Sequence, residues 1–312
     1  AAPPVSTYFE ALSDLVRLRQ KAKKARGPVF LAYTGATDSL AHLGGEGMLR
    51  SFLSKLDESL TDIIRESEGP VTITVFSDHG NHFRKYRRAD LKGPLRRAGF
   101  EFGKGLKDER RRVVFPQFGL IGCALLFTGE ENERRLAETA SKVKGVEFAS
   151  FETEGVVHVL GHGGEATIER RGERFRYRAS AGDPLRLERV MRQLTERGKA
   201  DAEGFVGDAD WFGATRDGEL PDAVRRVFKG TSGEVGNPAN VVVSFEDGYY
   251  SGSSTLDLFA FLKATHGNLG REQSFGFAMS TGIHLPPHVR AADLWRVFGS
   301  PALRKSHAHV AE

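Results

Sequence analysis

The sequence predicts an α/β fold: a central, mainly parallel sheet flanked by helices, with a smaller, partly antiparallel subdomain inserted into it. Three observations predict it. An apolar run at 29–33, a helix-period segment at 47–66 and a β-branched run at 71–76 follow one another as strand, helix and strand, and a connection of that length implies a parallel pair with a right-handed crossover. Between 113 and about 183 the pattern changes to short strand-like runs, which reads as an insertion. Helix- and strand-like segments then resume. The expected division is therefore 1–112 for the first part of a metal-binding core, 113–185 for the inserted subdomain and 186–312 for the rest of the core.

Each element has its own signal. Residues 8–25 read as a helix, with Phe9, Leu12, Leu15 and Val16 on one stripe and a basic last turn that suits the helix dipole. The run 29–33 follows Gly27-Pro28. Residues 47–66 place Leu49, Phe52, Leu53, Leu56, Leu60, Ile63 and Ile64 at helical spacing, and Gly69-Pro70 stops that helix before the strand at 71–76. Within the insertion, strands are expected at 120–127, 146–151, 156–160, 166–170 and 175–177, with one helix at 131–143. Helices follow near 185–197 and 221–227, a strand at 240–245, a helix-like run at 256–264 and a last strand at 274–279. The tail 304–309, with His307 and His309, reads as frayed and idle.

Composition bounds the classes of function. With 312 residues, 39% hydrophobic and 28% charged, the chain has the make-up of an ordinary globular protein with a large core. No apolar run approaches the ~20 residues a bilayer crossing needs, so no membrane span is expected. The single cysteine, Cys123, lies in an apolar run and reads as a buried thiol; with no disulfide within the chain, a cytoplasmic or an exported location both fit. The net charge of +4 is modest but concentrated, with twelve Lys/Arg against four Asp/Glu between 84 and 112. No nucleic-acid motif accompanies that charge, so a solvated face is the plainer reading and nucleic acid is not favoured as a partner. The chain opens Ala1-Ala-Pro-Pro4 without a methionine, which reads as the carboxyl-terminal part of a longer product, catalytically poor by itself.

Potential chemistry gathers in three segments. Asp38 and His42 are four apart, so a helical turn there puts both on one face, where they can chelate one ion. Asp78-His79 closes the apolar run 71–76, and Gly80 is expected to turn the chain so that both side chains reach one site. His266 stands between a helix-like run and the flexible Gly267-Asn-Leu-Gly270. Carboxylates and imidazoles aimed from several elements are the donors a hydrolytic two-metal site uses. Asn81 and His82 extend the same turn and are candidates for outer contacts or substrate contacts.

Taken in order, Tyr33-Thr-Gly-Ala-Thr-Asp38 with His42, then a long helix, Ser77-Asp-His-Gly80 and Thr265-His-Gly267 resemble the alkaline phosphatase superfamily of phosphatases, sulfatases, phosphodiesterases and cofactor-independent phosphoglycerate mutases. The resemblance runs from Pro28 to Met279. It implies that Asp38, His42 and His266 bind one metal, that Asp78 and His79 complete much of a second site, and that the sheet is of the alkaline phosphatase kind. The cofactors implied are up to two divalent ions, zinc or manganese, and carboxylate plus imidazole ligation suits either. The implied substrate is a small-molecule phosphate or sulfate ester, and the implied class is a metal-dependent ester hydrolase.

The chain also departs from that pattern. The superfamily places, before this segment, a strand ending in an aspartate and a Ser, Thr or Cys nucleophile at a helix N-terminus. Residues 1–27 offer neither, since Asp14 lies inside the predicted helix, so the nucleophile is unidentified. Asp247, after the strand at 240–245, is a substitute ligand on one reading and an ordinary Asx-turn residue on the plainer one. The rival expectation is a non-catalytic or incomplete member of the same fold that holds a metal or an anion without turnover. His158 and His162 read as parts of a solvated hairpin, Gly161-His-Gly-Gly164 as a turn, and Tyr249-Tyr250 and Trp211-Phe212 as packing aromatics.

Overall fold

The structure is a computed structural model of the chain and describes residues 3–106, 112–117, 119–232, 235–252 and 261–297. The described residues within Ala1–Phe83, Phe261–Ala264 and Phe275–Glu312 form one compact unit, and those within Arg84–Ala260 and Thr265–Ser274 form a second.

The first unit is a helical hairpin with a small β-ribbon. Helix Pro3–Lys24 and helix Glu46–Glu66 bury Ala11, Leu15 and Phe52 against Leu40 from the segment that joins them. Polar contacts tie the helices along their length: Tyr8 and Ser51 share a hydrogen bond of 2.8 Å, Arg19 pairs with Asp62 (2.8 Å) and Glu66, and Lys23 reaches Glu66 at 2.9 Å. Between the helices a single turn, Ala36–Ser39, widens into a turn of π-helix, Leu40–Gly44. Gly45 closes it with φ of 78°, and a side chain there would meet Lys263 at 2.8 Å, so this position needs glycine on both counts.

The strand reading of this region is corrected. Residues 29–33 form no strand, and Leu31 and Tyr33 are 65% and 84% exposed. Only Thr74–Phe76 of the run 71–76 is a strand, and its partner is Ala278–Ser280, antiparallel, with Val75 opposite Met279. No parallel pair and no crossover joins 29–33 to 71–76. A short apolar run specifies that it favours burial in a sheet, but neither its partner nor its direction.

The second unit overturns the expected architecture. Its centre is a seven-stranded, wholly antiparallel sheet in the order Val206–Gly207, Arg174–Gly182, Gly164–Arg171, Val156–Gly161, Val146–Thr153, Val241–Phe245 and Cys123–Leu126. The strands read as a subsidiary insertion are thus the body of the main sheet. Alternation explains the four-stranded meander: Ala166 and Ile168, then Phe175 and Tyr177, are buried at every second position. The first hairpin turns through Glu154 and Gly155, both at positive φ (53° and 80°), the backbone a right-twisted two-residue hairpin requires. Two short pairs are parallel, Tyr249–Tyr250 with Arg87–Arg88 and Glu101–Gly103 with Arg112–Val114.

Two apolar clusters cover this sheet. In one, Leu95 and the helix Glu133–Ser141, through Leu136, Ala137 and Ala140, pack on Leu126, Ala149, Phe151, Val241 and Val243. In the other, helices Glu188–Glu196, Asp208–Thr215 and Ala223–Thr231 bring Leu194, Trp211, Val224 and Phe228 onto Phe148, Val157, Ile168 and Phe175. The region expected as a last strand at 274–279 is a helical turn, Arg271–Ser274, followed by the strand Ala278–Ser280. Most of the helix expected at 256–264, and the tail 304–309, lie outside the described residues. Among the described residues, no helix is long and apolar enough to cross a membrane.

Candidate metal centre

Asp38 and His42 are aimed by the turn that follows Gly35. Leu40 and Ala41, between them, are fully buried and anchor the turn to the helical hairpin. Asp38 and His42, four residues apart, then share a face, and His42 Nε2 lies 3.1 Å from Asp38 Oδ1. His42 is itself buried, and its carbonyl accepts the Lys263 N–H at 2.9 Å, so the imidazole stands on a fixed backbone. Two ligands about 2.1 Å from one tetrahedral ion stand roughly 3.4 Å apart. The Asp38–His42 separation is close to that edge.

Asp78 and His79 follow the strand Thr74–Phe76. The Ser77 N–H donates to the Phe277 carbonyl and the Phe277 N–H to Ser77 Oγ, each at 3.0 Å, which fixes the chain just before the pair. A side chain at Gly276 would come within 2.4 Å of Ser77 Oγ, so this close approach depends on glycine. The turn at Gly80 forms without a left-handed φ, contrary to the role expected for it. Asp78 Oδ1 accepts the His79 backbone N–H at 3.1 Å and lies 3.6 Å from His79 Nε2.

His79 Nδ1 lies 3.0 Å from the Gly80 carbonyl oxygen. A carbonyl only accepts, so Nδ1 carries a proton, the arrangement found in an imidazole that binds a metal through Nε2. His79 and Asp38 place ligand atoms within 4.8 Å of each other. In the same unit, the side-chain oxygens of Thr34 and Asn81 are buried with no hydrogen-bond partner among the described residues. Buried polar atoms left so are rare, and here they flank two metal-binding side-chain types in sequence. This donor set fits a divalent ion.

The remaining candidates belong to the second unit. His266 is held by its backbone: its carbonyl accepts the Gly122 N–H at 2.7 Å, and Thr265 Oγ1 donates to the Leu120 carbonyl at 2.6 Å. Gly267 follows at φ of 103°, a conformation that favours glycine. Asp247 is not placed as a spare ligand. Its Oδ2 is 2.6 Å from Arg84, while Oδ1 accepts from Tyr86 (3.3 Å) and Gln273 (3.1 Å). Cys123 is no nucleophile candidate, since burial pushes its thiol to about 11.

His158 sits on the strand Val156–Gly161, stacked on Phe151 at 4.8 Å, and burial holds its pKa below the usual imidazole range. His162 lies exposed in the adjoining turn. Trp211 is a packing residue whose Nε1–H donates to the Phe175 carbonyl at 3.1 Å. The features that sequence reading missed are Gly276, whose signal was only a glycine beside an apolar run, and the Arg84–Asp247 pair, 163 residues apart.

No protein-family model matches the chain, and no curated protein or solved structure matches it.

Proposed function

We propose that the chain binds up to two divalent ions, zinc or manganese, through Asp38, His42, Asp78 and His79 of the first unit, and hydrolyses a phosphate or sulfate ester there. The observation that supports this most is local to the first unit: Asp38 Oδ1 stands 3.1 Å from His42 Nε2, Asp38 and His79 place ligand atoms within 4.8 Å of each other, and the His79 Nδ1 hydrogen is held by the Gly80 carbonyl. The reading rests on these side chains and not on the fold, since the antiparallel sheet is not the architecture the resemblance implied.

A bound divalent ion supplies Lewis-acid polarisation of an ester oxygen and lowers the pKa of a water. The chain's own residues do the rest. Asp38 contributes negative charge that offsets the ion, and the Gly80 carbonyl holds the His79 ring in one tautomer and one orientation. Thr34 and Asn81 offer hydrogen-bonding oxygens for water or for the ester.

Calorimetric titration with zinc and with manganese, followed by assays of the loaded protein on p-nitrophenyl phosphate, bis(p-nitrophenyl) phosphate and p-nitrophenyl sulfate, tests the reading. Binding of metal and chelator-sensitive hydrolysis of at least one ester are expected. A chain that binds neither ion overturns the proposal. A second reading is metal or anion binding without turnover, and metal binding with no ester hydrolysed would select it.

A further inference from the structure

We infer that the second unit carries an oxyanion-binding site built on Lys92 and Arg96, which grips the phosphate group of a ligand.

The two residues are one turn apart on the helix Lys92–Arg97 and so share a face. Both cations stand over the same ring: Lys92 Nζ is 5.7 Å and Arg96 Cζ 5.6 Å from the Phe102 centroid, and Lys92 is also 5.8 Å from that of Phe115. The ammonium is positioned by neutral groups. Lys92 Nζ donates to Gln117 Oε1 at 2.7 Å, and Gln117 Nε2 donates to the Gly252 carbonyl at 2.8 Å, which turns the amide so that its oxygen faces the lysine. A third cation joins the network, because Arg88 donates to the same Gly252 carbonyl at 3.0 Å.

Carboxylates balance several arginines elsewhere in this unit: Arg84 with Asp247, Arg134 with Glu165, Arg171 with Asp201, Arg176 with Glu169 and Arg225 with Asp208. Among the described residues, neither Lys92 nor Arg96 makes such a pair. Like charges at this spacing repel, and the aromatic faces offset only part of that repulsion. Burial, and then the charges of Arg96 and Arg88, hold the Lys92 pKa below its ordinary value.

A tetrahedral oxyanion resolves this arrangement. The guanidinium fork of Arg96 matches two oxygens at once, and the ammonium of Lys92 adds a point charge. Phe102 backs both cations and Phe115 backs Lys92, which reduces screening by water at the ammonium. Such an anion has two sources: free inorganic phosphate, or the phosphodiester backbone of a single-stranded nucleic acid.

The test uses the full chain with a chelator present, so that no ion at Asp38 and His79 adds phosphate binding of its own. Inorganic phosphate is titrated by calorimetry and a labelled thymidylate 12-mer by fluorescence anisotropy, against the parent, Arg96→Gln and Lys92→Gln/Arg96→Gln. The double substitution is expected to weaken phosphate binding by at least ~10-fold, with the single one between. If the oligonucleotide binds no tighter than phosphate, the ligand is the free anion. If it binds at least ~10-fold tighter and the double substitution flattens its salt dependence by about two phosphate contacts, the ligand is the backbone. Equal affinity in all three proteins, or no binding of either probe by the parent, overturns the inference. Arg96 is exposed, so the single variant decides if the double one fails to fold.

Discussion

His79 donates its Nδ1 hydrogen to the carbonyl of its own neighbour, Gly80, across 3.0 Å. The bond is short-range and needs no other element, so the ring's tautomer is set by the turn itself. A metal-binding imidazole usually has its second ring nitrogen engaged in this way.

Replacing His79 by alanine, or Asp38 by asparagine, is therefore expected to lower zinc or manganese affinity by at least ~10-fold with the fold retained. Titration calorimetry of each variant beside the parent, with far-ultraviolet circular dichroism as the control for folding, measures this. Unchanged affinity in both would remove these residues from the site.

Phe52 is fully buried between the two long helices and touches the cluster that includes Leu40. Phe52→Ala is expected to cost about 3–5 kcal/mol through lost burial and the cavity left behind. Because Leu40 leads directly to His42, metal affinity should fall together with the melting temperature. Chemical denaturation and metal titration on the same variant test the coupling.

Glu66 accepts from Arg19 and Lys23, and these hydrogen bonds lower its pKa to about 2. A depressed carboxylate contributes stability that is present above its ordinary pKa of ~4.3 and is lost as pH falls through about 2. Glu66→Gln should melt below the parent at neutral pH, and the two curves should converge near pH 2. The group is solvent-exposed, so the difference should be small and should shrink in about 1 M salt.

Glu147 shows the opposite sign. Burial raises its pKa, and the nearby Arg186, at 2.6 Å, offsets only part of that. A raised carboxylate contributes stability that is present below ~4.3 and lost as pH rises through its folded value. Glu147→Gln should thus gain on the parent as pH climbs from about 4 toward neutrality, and thermal melts across that range read the trend. A gap that narrows with rising pH would contradict the burial argument.

What the sequence discloses follows from how local each signal is. The spacing of Leu49, Phe52, Leu56 and Ile63 discloses the helix Glu46–Glu66, and the alternation around Ile168 and Tyr177 discloses the meander. Partnership between distant segments is not written locally. Nothing in 71–76 names Ala278–Ser280, and nothing in 120–127 names Val241–Phe245, so the expected parallel sheet gave way to antiparallel pairings formed across more than a hundred residues. At the candidate site, the four-residue spacing of Asp38 and His42 is readable because a single helical turn suffices to join them. The claim of Arg84 on Asp247, and the dependence of Ser77 on Gly276, are invisible before the chain is folded.

The strand Val241–Phe245 lies between Val146–Thr153 and Cys123–Leu126, and it is made far later in the chain than either neighbour. During synthesis and refolding the meander Val146–Gly182 closes through short hairpins, while the Val146–Thr153 edge waits for its partner. Until Val241–Phe245 arrives, that edge offers unpaired backbone amides to any other extended chain. The vulnerable interval for aggregation is therefore built into the order of the strands, and recovery of folded protein should depend on how dilute the chain is while that one strand docks.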